Sequence, residues 1–434
     1  MPKIVFIGAG SSVFFQRLMI DVLSFPALAD SEFHLVDIDP KRLEYARRIG
    51  ERIIKERHLP VKVCATTERK EALPGADYVI ITILVGGIEV ISEDINIPLK
   101  YGVDQCIGDT LGPAGVFRAL RTIPVIIDIC RDVERICPEA LVLNYTNPMA
   151  MLCWAIEETT KVNYVGLCHS VENTARHLAR YIGAPLKEIS YWAAGINHQS
   201  WLLEFKWNGK DAYPLLREKI ADPEIYNNDT TRFEMLKHLG YFVAEGSGHN
   251  SEYNPWFRKR KDLLRKYTRG GKWNGGTGYI LQLYGTDRED YEKEQERIAS
   301  GKESLDFKRS YEYGSYIINA IQTGETFRIN GNVSNRGLIT NLPQGCCVEV
   351  PCYVDKHGIN PCFIGDLPLQ LAALNKMNIS VQEMAVKAAL TGDKEMAYCA
   401  VAYDPLTSAV LSLEEIRNMV DEMFEAENAW FPQF

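Results

Sequence analysis

Over the first 150 positions, apolar residues come in short runs separated by segments of helical periodicity. Lys3-Ile4-Val5-Phe6-Ile7 reads as a strand and leads directly into Gly8-Ala9-Gly10-Ser11-Ser12. Val13 to Leu23 then puts Phe14, Leu18 and Val22 on one helix face. Phe33-His34-Leu35-Val36 predicts a second strand, closed by Asp37, and Pro40 to Ile54 a helix with arginines and glutamates on its wet face. Val61-Lys62-Val63 predicts a short strand, and Ala72 with Pro74-Gly75-Ala76-Asp77 a turn. Tyr78 to Val85 is a continuous apolar run, as expected of a parallel strand buried on both faces. Leu120 to Cys137 predicts a long helix, and Leu141 to Tyr145 and Tyr164 to Leu167 further strands. Strands alternating with helices predict an α/β fold with a doubly wound parallel sheet.

From about Ile196 the texture changes, so the expected division is residues 1–195 and 196–434. Between Gly240 and Tyr284 aromatics and glycines thicken with little periodicity, the mark of a functional loop. Asp287 to Ser300 predicts a charged helix, Gly345 to Val354 strands, and Leu367 onward mostly helix. A length of 434 residues fits two domains, or one large α/β domain with an elaborated half. The net charge of −9 argues against a nucleic-acid binder. No apolar run approaches the ~20 residues of a membrane helix. Eleven cysteines and no signal peptide ahead of the first strand predict reduced thiols and a cytoplasmic enzyme.

The strand–Gly8-x-Gly10–helix junction has the logic of a dinucleotide site. Glycines let the backbone approach a pyrophosphate, and the next helix offers free N–H groups. The third glycine of that fingerprint is replaced by Val13. Asp37 ends the second strand, where an acid would hydrogen-bond a ribose; it would repel a 2′-phosphate, which favours NAD over NADP. The alternative is that the glycines only turn the chain and Asp37 caps a helix. Cys168-His169-Ser170 follows a strand, and Gly195-Ile196-Asn197-His198 comes later. Thiolate and imidazole suit a borderline divalent metal with open positions, although a buried free cysteine and a core histidine would look the same. Cys346, Cys347, Cys352 and Cys362, with His357 nearby, lack zinc-ribbon spacing and read as packing residues.

Together, Gly8-Ala9-Gly10-Ser11, Gly108-Asp109-Thr110-Leu111-Gly112-Pro113, Asn144-Tyr145-Thr146-Asn147-Pro148, Cys168-His169-Ser170-Val171 and Gly195-Ile196-Asn197-His198 resemble glycoside hydrolase family 4. The likeness runs from the first strand to beyond Pro405. It is closest to the melibiase-type α-galactosidases, with their Cys-His-Ser-Val tetrad and Ser251-Glu252-Tyr253-x-Pro255-Trp256-Phe257 run. The resemblance implies an N-terminal Rossmann-like domain related to lactate and malate dehydrogenases and a C-terminal mixed α+β substrate and metal domain. It implies NAD, a divalent metal such as Mn2+, and a homodimer or homotetramer without nucleic-acid or membrane partners. It also implies hydrolysis by oxidation at C3, deprotonation at C2, loss of the leaving group, water addition and re-reduction. Such NAD-dependent hydrolases stand outside the two-carboxylate scheme.

By position, the resemblance implies Cys168 and His198 as metal ligands and Asn147 as a substrate residue. Gly8, Gly10, Ser11 and Asp37 become the cofactor set, and the catalytic set is His169 as proton donor, Tyr253 as base and Asp109 as a second acid. Glu252 is a second base candidate, and Arg258 a candidate cation to lower the Tyr253 phenol. Three readings compete: this hydrolase, on an α-galactoside or another α-glycoside (α-galacturonide, α-glucuronide, α-glucoside); a 2-hydroxy-acid dehydrogenase; and a non-catalytic NAD sensor. Against the dehydrogenase, the segment that would orient its histidine with an acid reads Cys168-His169-Ser170-Val171-Glu172 here.

Overall fold

The computed structural model describes residues 1–11, 14–284 and 288–434. Val13 and Asp287, the expected starts of two helices, lie outside the described residues; those helices run Phe15–Leu23 and Arg288–Ala299. Six parallel strands make the first half of one sheet: β1 (Lys3–Ile7), β2 (Glu32–Val36), β3 (Val63–Thr66), β4 (Tyr78–Ile81), β5 (Leu141–Asn144) and β6 (Asn163–Leu167). Their spatial order is β3-β2-β1-β4-β5-β6, the doubly wound Rossmann-like arrangement. Every residue of β4 is buried, as its unbroken apolar run requires of a strand covered on both faces.

The ends of the elements differ from the sequence reading for local reasons. β4 stops at Ile81, not Val85: the Thr82 hydroxyl donates to the Gly8 carbonyl at 2.9 Å, and the chain reverses at Gly86 and Gly87. β3 starts at Val63 instead of Val61, because Phe33 of β2 pairs with Val63. The helix expected from Leu120 begins at Gly112 with Pro113 in its first turn, where the missing proline N–H costs nothing. The helix Pro40–Arg57 starts where Asp39 accepts from Lys41 N and Arg42 N. It buries Leu43, Ala46, Ile49 and Ile53 at helical spacing.

The remaining strands continue the sheet: β7 (Ile189–Ile196), β8 (Gln199–Trp207), β9 (Lys210–Asp211), β10 (Phe242–Val243), β11 (Phe327–Ser334), β12 (Cys347–Asp355) and β13 (Gly358–Pro361). β11 joins β6 antiparallel at Asn332–Gly166, and β12 joins β7 at Glu349–Gly195. The chain after residue 196 therefore extends the N-terminal sheet through hydrogen bonds. The β7–β8 hairpin tip, Asn197-His198, comes beside the C-terminal end of β6, where Cys168 follows.

A buried ionic group ties the far C-terminus to this frame. Arg121 hydrogen-bonds Asp94, and its Nη1 donates to Glu427 at 3.1 Å, all three side chains being buried. Burial, then the Asp94 charge, pushes the Glu427 carboxyl up to about 10. Removing the guanidinium from such a group leaves buried carboxyl groups without their charged partner, a loss of about 3–5 kcal/mol. Among the described residues, no helix is long and apolar enough to cross a membrane.

Candidate active site

The turn after β1 is shaped for close approach. Gly8 has φ 88°, and a Cβ there would lie 2.7 Å from the Thr82 carbonyl oxygen. A Cβ at Gly10 would lie 2.6 Å from Cβ of Arg42. Gly10 N donates to Asp37 Oδ2 at 2.8 Å and Asp39 N to Oδ1 at 2.9 Å, so Asp37 stands at the end of β2 beside the turn. Ser11 N donates to the Gly8 carbonyl at 3.0 Å, and the helix Phe15–Leu23 follows. Tyr291 closes the outside, its hydroxyl donating to the Gly10 carbonyl at 2.6 Å while Arg42 packs over its ring. A cradle that side chains would fill, with a strand-end acid and a helix behind it, fits a dinucleotide.

Some distance along the sheet edge, donor atoms converge. Cys168 Sγ lies 3.3 Å from His198 Nε2, and Glu245 Oε2 lies 3.6 Å from the same nitrogen. These three residues offer sulfur, nitrogen and oxygen within 4.8 Å of one another. His198 occupies the left-handed region, φ 62°, at the hairpin tip, which aims its ring at the end of β6. A second triad, Asp109, His198 and His249, shares His198. Burial first, then the charges of Glu245 and Glu349, pushes the Cys168 thiol well up. Burial pulls the His198 imidazole down, against Glu245. The set of soft and borderline donors, with a thiol that needs a cation to ionise, fits a divalent metal.

Around this cluster the charges are mutually balanced. Burial would lower the His249 imidazole, but Glu245 and Asp109 outweigh it and hold it at about 9. Burial would raise the Glu245 carboxyl, but His249 and His198 bring it down to about 2. The Asp109 carboxyl, also opposed by burial, is held well below the carboxylate range by His249 and His198. Asp109 accepts from Asn147 Nδ2 at 2.8 Å and Thr110 Oγ1 at 2.8 Å, and lies 3.5 Å from His249 Nε2. It does not cap the following helix, whose N-cap is Leu111. An ionised Asp109 is a poor proton donor and a good anchor for His249 and Asn147.

His169 stands on the other side of Cys168, its Nδ1 2.8 Å from Glu312 Oε1. Burial opposes protonation, but the Glu312 bond and charge leave the imidazole raised. The Tyr253 hydroxyl lies 3.3 Å from His198 Nδ1, its ring stacked parallel to the imidazole. Burial, then Asp109 and Glu252, pushes the phenol well above its ordinary value.

Two expectations are corrected. Arg258 does not serve Tyr253: its guanidinium is bound to Asp104, to Ser251 Oγ at 3.0 Å and to the Gly275 carbonyl at 2.8 Å. Glu252 is not free to act as a base. Its Oε2 accepts from Cys106 N at 2.6 Å and Ile107 N at 3.1 Å, and its Oε1 from Gly108 N at 3.0 Å. Of the four later cysteines, Cys346, Cys347 and Cys352 pack in the core as expected, Cys362 is half-buried, and His357 lies in an exposed turn. The sequence reading missed Glu245, His249 and Glu312 as site residues. The Glu245-x-x-x-His249 spacing was a usable signal; Glu312 reaches His169 across 143 residues and left no local one.

The family 4 glycosyl hydrolase model matches residues 3–184, and the model of the C-terminal domain of that family matches residues 193–407. An α-galactosidase of Bacillus subtilis is 44% identical, with 100% of both chains covered. An α-galactosidase of Rhizobium meliloti is 42% identical over 100% of this chain and 89% of its own length. A 6-phospho-α-glucosidase from gut microorganisms, solved in complex with NAD and Mn2+, superposes with a TM-score of 0.83 at 20% identity, covering 99% of each chain. With both of its parts matched and full-length relatives above 40% identity, the chain belongs to the family 4 glycosyl hydrolases.

Proposed function

We propose that this glycoside hydrolase cleaves α-galactosides of the melibiose type, using NAD and a divalent metal such as Mn2+. The observation that carries the reading is the Cys168–His198–Glu245 cluster, with His198 buried between two half-buried ligand candidates and Tyr253 against His198, while the site carboxylates Asp109 and Glu245 are both engaged by His249. The full-length α-galactosidase relatives support the sugar, and the NAD- and Mn2+-bound structural neighbour supports the cofactors. In this reading residues 1–195 bind the cofactor through Gly8, Gly10, Ser11 and Asp37, and residues 196–434 complete the substrate and metal site. Cys168, His198 and Glu245 would hold the metal.

When bound, the two groups supply a reversible hydride acceptor for C3 and charge stabilisation for the C2 and C3 oxygens. The chain's own residues move the protons. Tyr253 takes the C2 proton, which needs positive charge on the His198 side of its ring to offset its burial. His169, whose imidazole Glu312 raises, gives a proton to the leaving oxygen at C1. Asp109 is the less suited acid because it is ionised; it holds His249 and the Asn147 amide, leaving Asn147 to orient the sugar. Water then adds to C1 as Tyr253 returns a proton to C2, and return of the hydride to C3 restores the alcohol, so that the net reaction is hydrolysis.

Nitrophenyl α-galactoside incubated with NAD, Mn2+ and a thiol reductant is expected to release nitrophenol with no net NADH. Removal of NAD or chelation of the metal should stop release. Turnover that survives both removals would end the proposal, as would cleavage of an α-galacturonide, α-glucuronide or α-glucoside but no galactoside.

Cys168→Ser should lower activity by at least about 100-fold and weaken Mn2+ binding, measured by calorimetry, while NAD binding persists, because a hydroxyl is a poor replacement for thiolate. Full activity would remove Cys168 from the metal site.

Glu312→Gln tests the donor. Glu312 raises the His169 imidazole, so its loss must lower it. The fall of kcat/KM with rising pH should then set in at lower pH than in the wild type. An unmoved alkaline limb would assign the donor elsewhere.

A further inference from the structure

We infer that Arg118 is a binding residue for the sugar ring, an inference that rests on the α-galactosidase reading above. Among the described residues four arginines are buried: Arg118, Arg121, Arg232 and Arg258. Three of them hold buried carboxylates, Arg121 through Asp94 and Glu427, Arg232 through Asp229, and Arg258 through Asp104. Arg118 is only 5% exposed, yet it forms no ion pair among the described residues. Its hydrogen bond runs from Nε to the backbone carbonyl of Asn147 at 3.3 Å. Its two terminal nitrogens have no partner there and are not sealed away from solvent.

A buried guanidinium without an acceptor is costly, and the fold answers that cost at the other three positions. The nearby acids are already committed. Asp94 is spent on Arg121, and Asp109 on Asn147, Thr110 and His249, although both feel the Arg118 charge. The Arg118 side chain is held from both ends, by its helix (Gly112–Ile136) and by the Asn147 carbonyl. It therefore offers a preorganised pair of donors at the side of the site where Asn147 stands. A planar fork of two N–H groups matches two adjacent oxygens of a hexopyranoside. Lysine, with a point charge on a flexible stem, matches them less well.

The test uses Arg118→Met and Arg118→Lys in the full chain with NAD and Mn2+ present. The Met variant is expected to lose about 10- to 100-fold in kcat/KM for nitrophenyl α-galactoside, mostly through KM, as loss of hydrogen bonds from a charged donor predicts. The Lys variant should fall between it and the wild type. NAD dissociation constants and melting temperatures should stay at wild-type values. Unchanged kcat/KM would overturn the proposal. Parallel weakening of NAD would also overturn it and assign the guanidinium to the cofactor. If the Met variant fails to fold, the Lys variant decides by the same two readouts. A wild-type enzyme that cleaves nitrophenyl α-galacturonide but not the galactoside would sink the galactoside reading alone, and the Arg118 variants would then be judged on the uronide.

Discussion

The site depends on one buried carboxylate. Glu252 accepts three consecutive backbone N–H groups, from Cys106, Ile107 and Gly108, and so clamps the loop before Asp109 onto the short helix Ser247–Glu252. Arg258 fastens the same loop one step earlier, through Asp104. Asp109 and Thr110 come from that loop; His249 and Tyr253 come from the clamped helix and its end. Without the clamp, the Asp109–His249 and Thr110–His198 contacts would have no fixed geometry. Three charge-assisted bonds are a large local term against loop entropy.

Beyond the clamp, four ionisable groups of the site are balanced against one another. Asp109, Glu245, His198 and His249 are packed so that each carboxylate has an imidazole and each imidazole a carboxylate. Isolated, any one of these charges would be costly at this depth. Their mutual charges hold the carboxylates down and raise His249, while burial first, then Glu245 and Glu349, keeps the Cys168 thiol neutral. That last state is the one a divalent cation would invert, since a coordinating thiol is deprotonated outright. A fold of dehydrogenase type thus carries a hydrolase site by joining a dinucleotide turn to a donor cluster built largely from later residues.

The parallel half of the sheet was legible because its strands are short apolar runs and three of its crossovers show helical periodicity, and Ile4–Ile7, Phe33–Val36 and Tyr78–Ile81 all fall where expected. Boundaries slipped where hydrogen bonds across the fold decide them, as at Thr82 and Val63. The pairing of β11 with β6 was not legible, since strands more than 150 residues apart leave no mutual pattern. In the site, Cys168 and His198 were visible because Cys168 opens one motif of the family and His198 ends another. Glu252 was misread because its chemistry as an acid says nothing of the three backbone donors that occupy it. Arg258 was misread for the same reason: nearness in sequence to Tyr253 does not fix where a long side chain finds its carboxylate.

The central claim is that this family 4 glycosyl hydrolase breaks the C2–H bond before the glycosidic bond leaves, with Tyr253 as the base. The most direct measurement is turnover of nitrophenyl α-galactoside deuterated at C2, with the released sugar read by proton NMR and the rate compared with unlabelled substrate. The account predicts slower turnover of the labelled substrate and loss of deuterium from C2 of the product in ordinary water. Complete retention of the label with no isotope effect on the rate would contradict it.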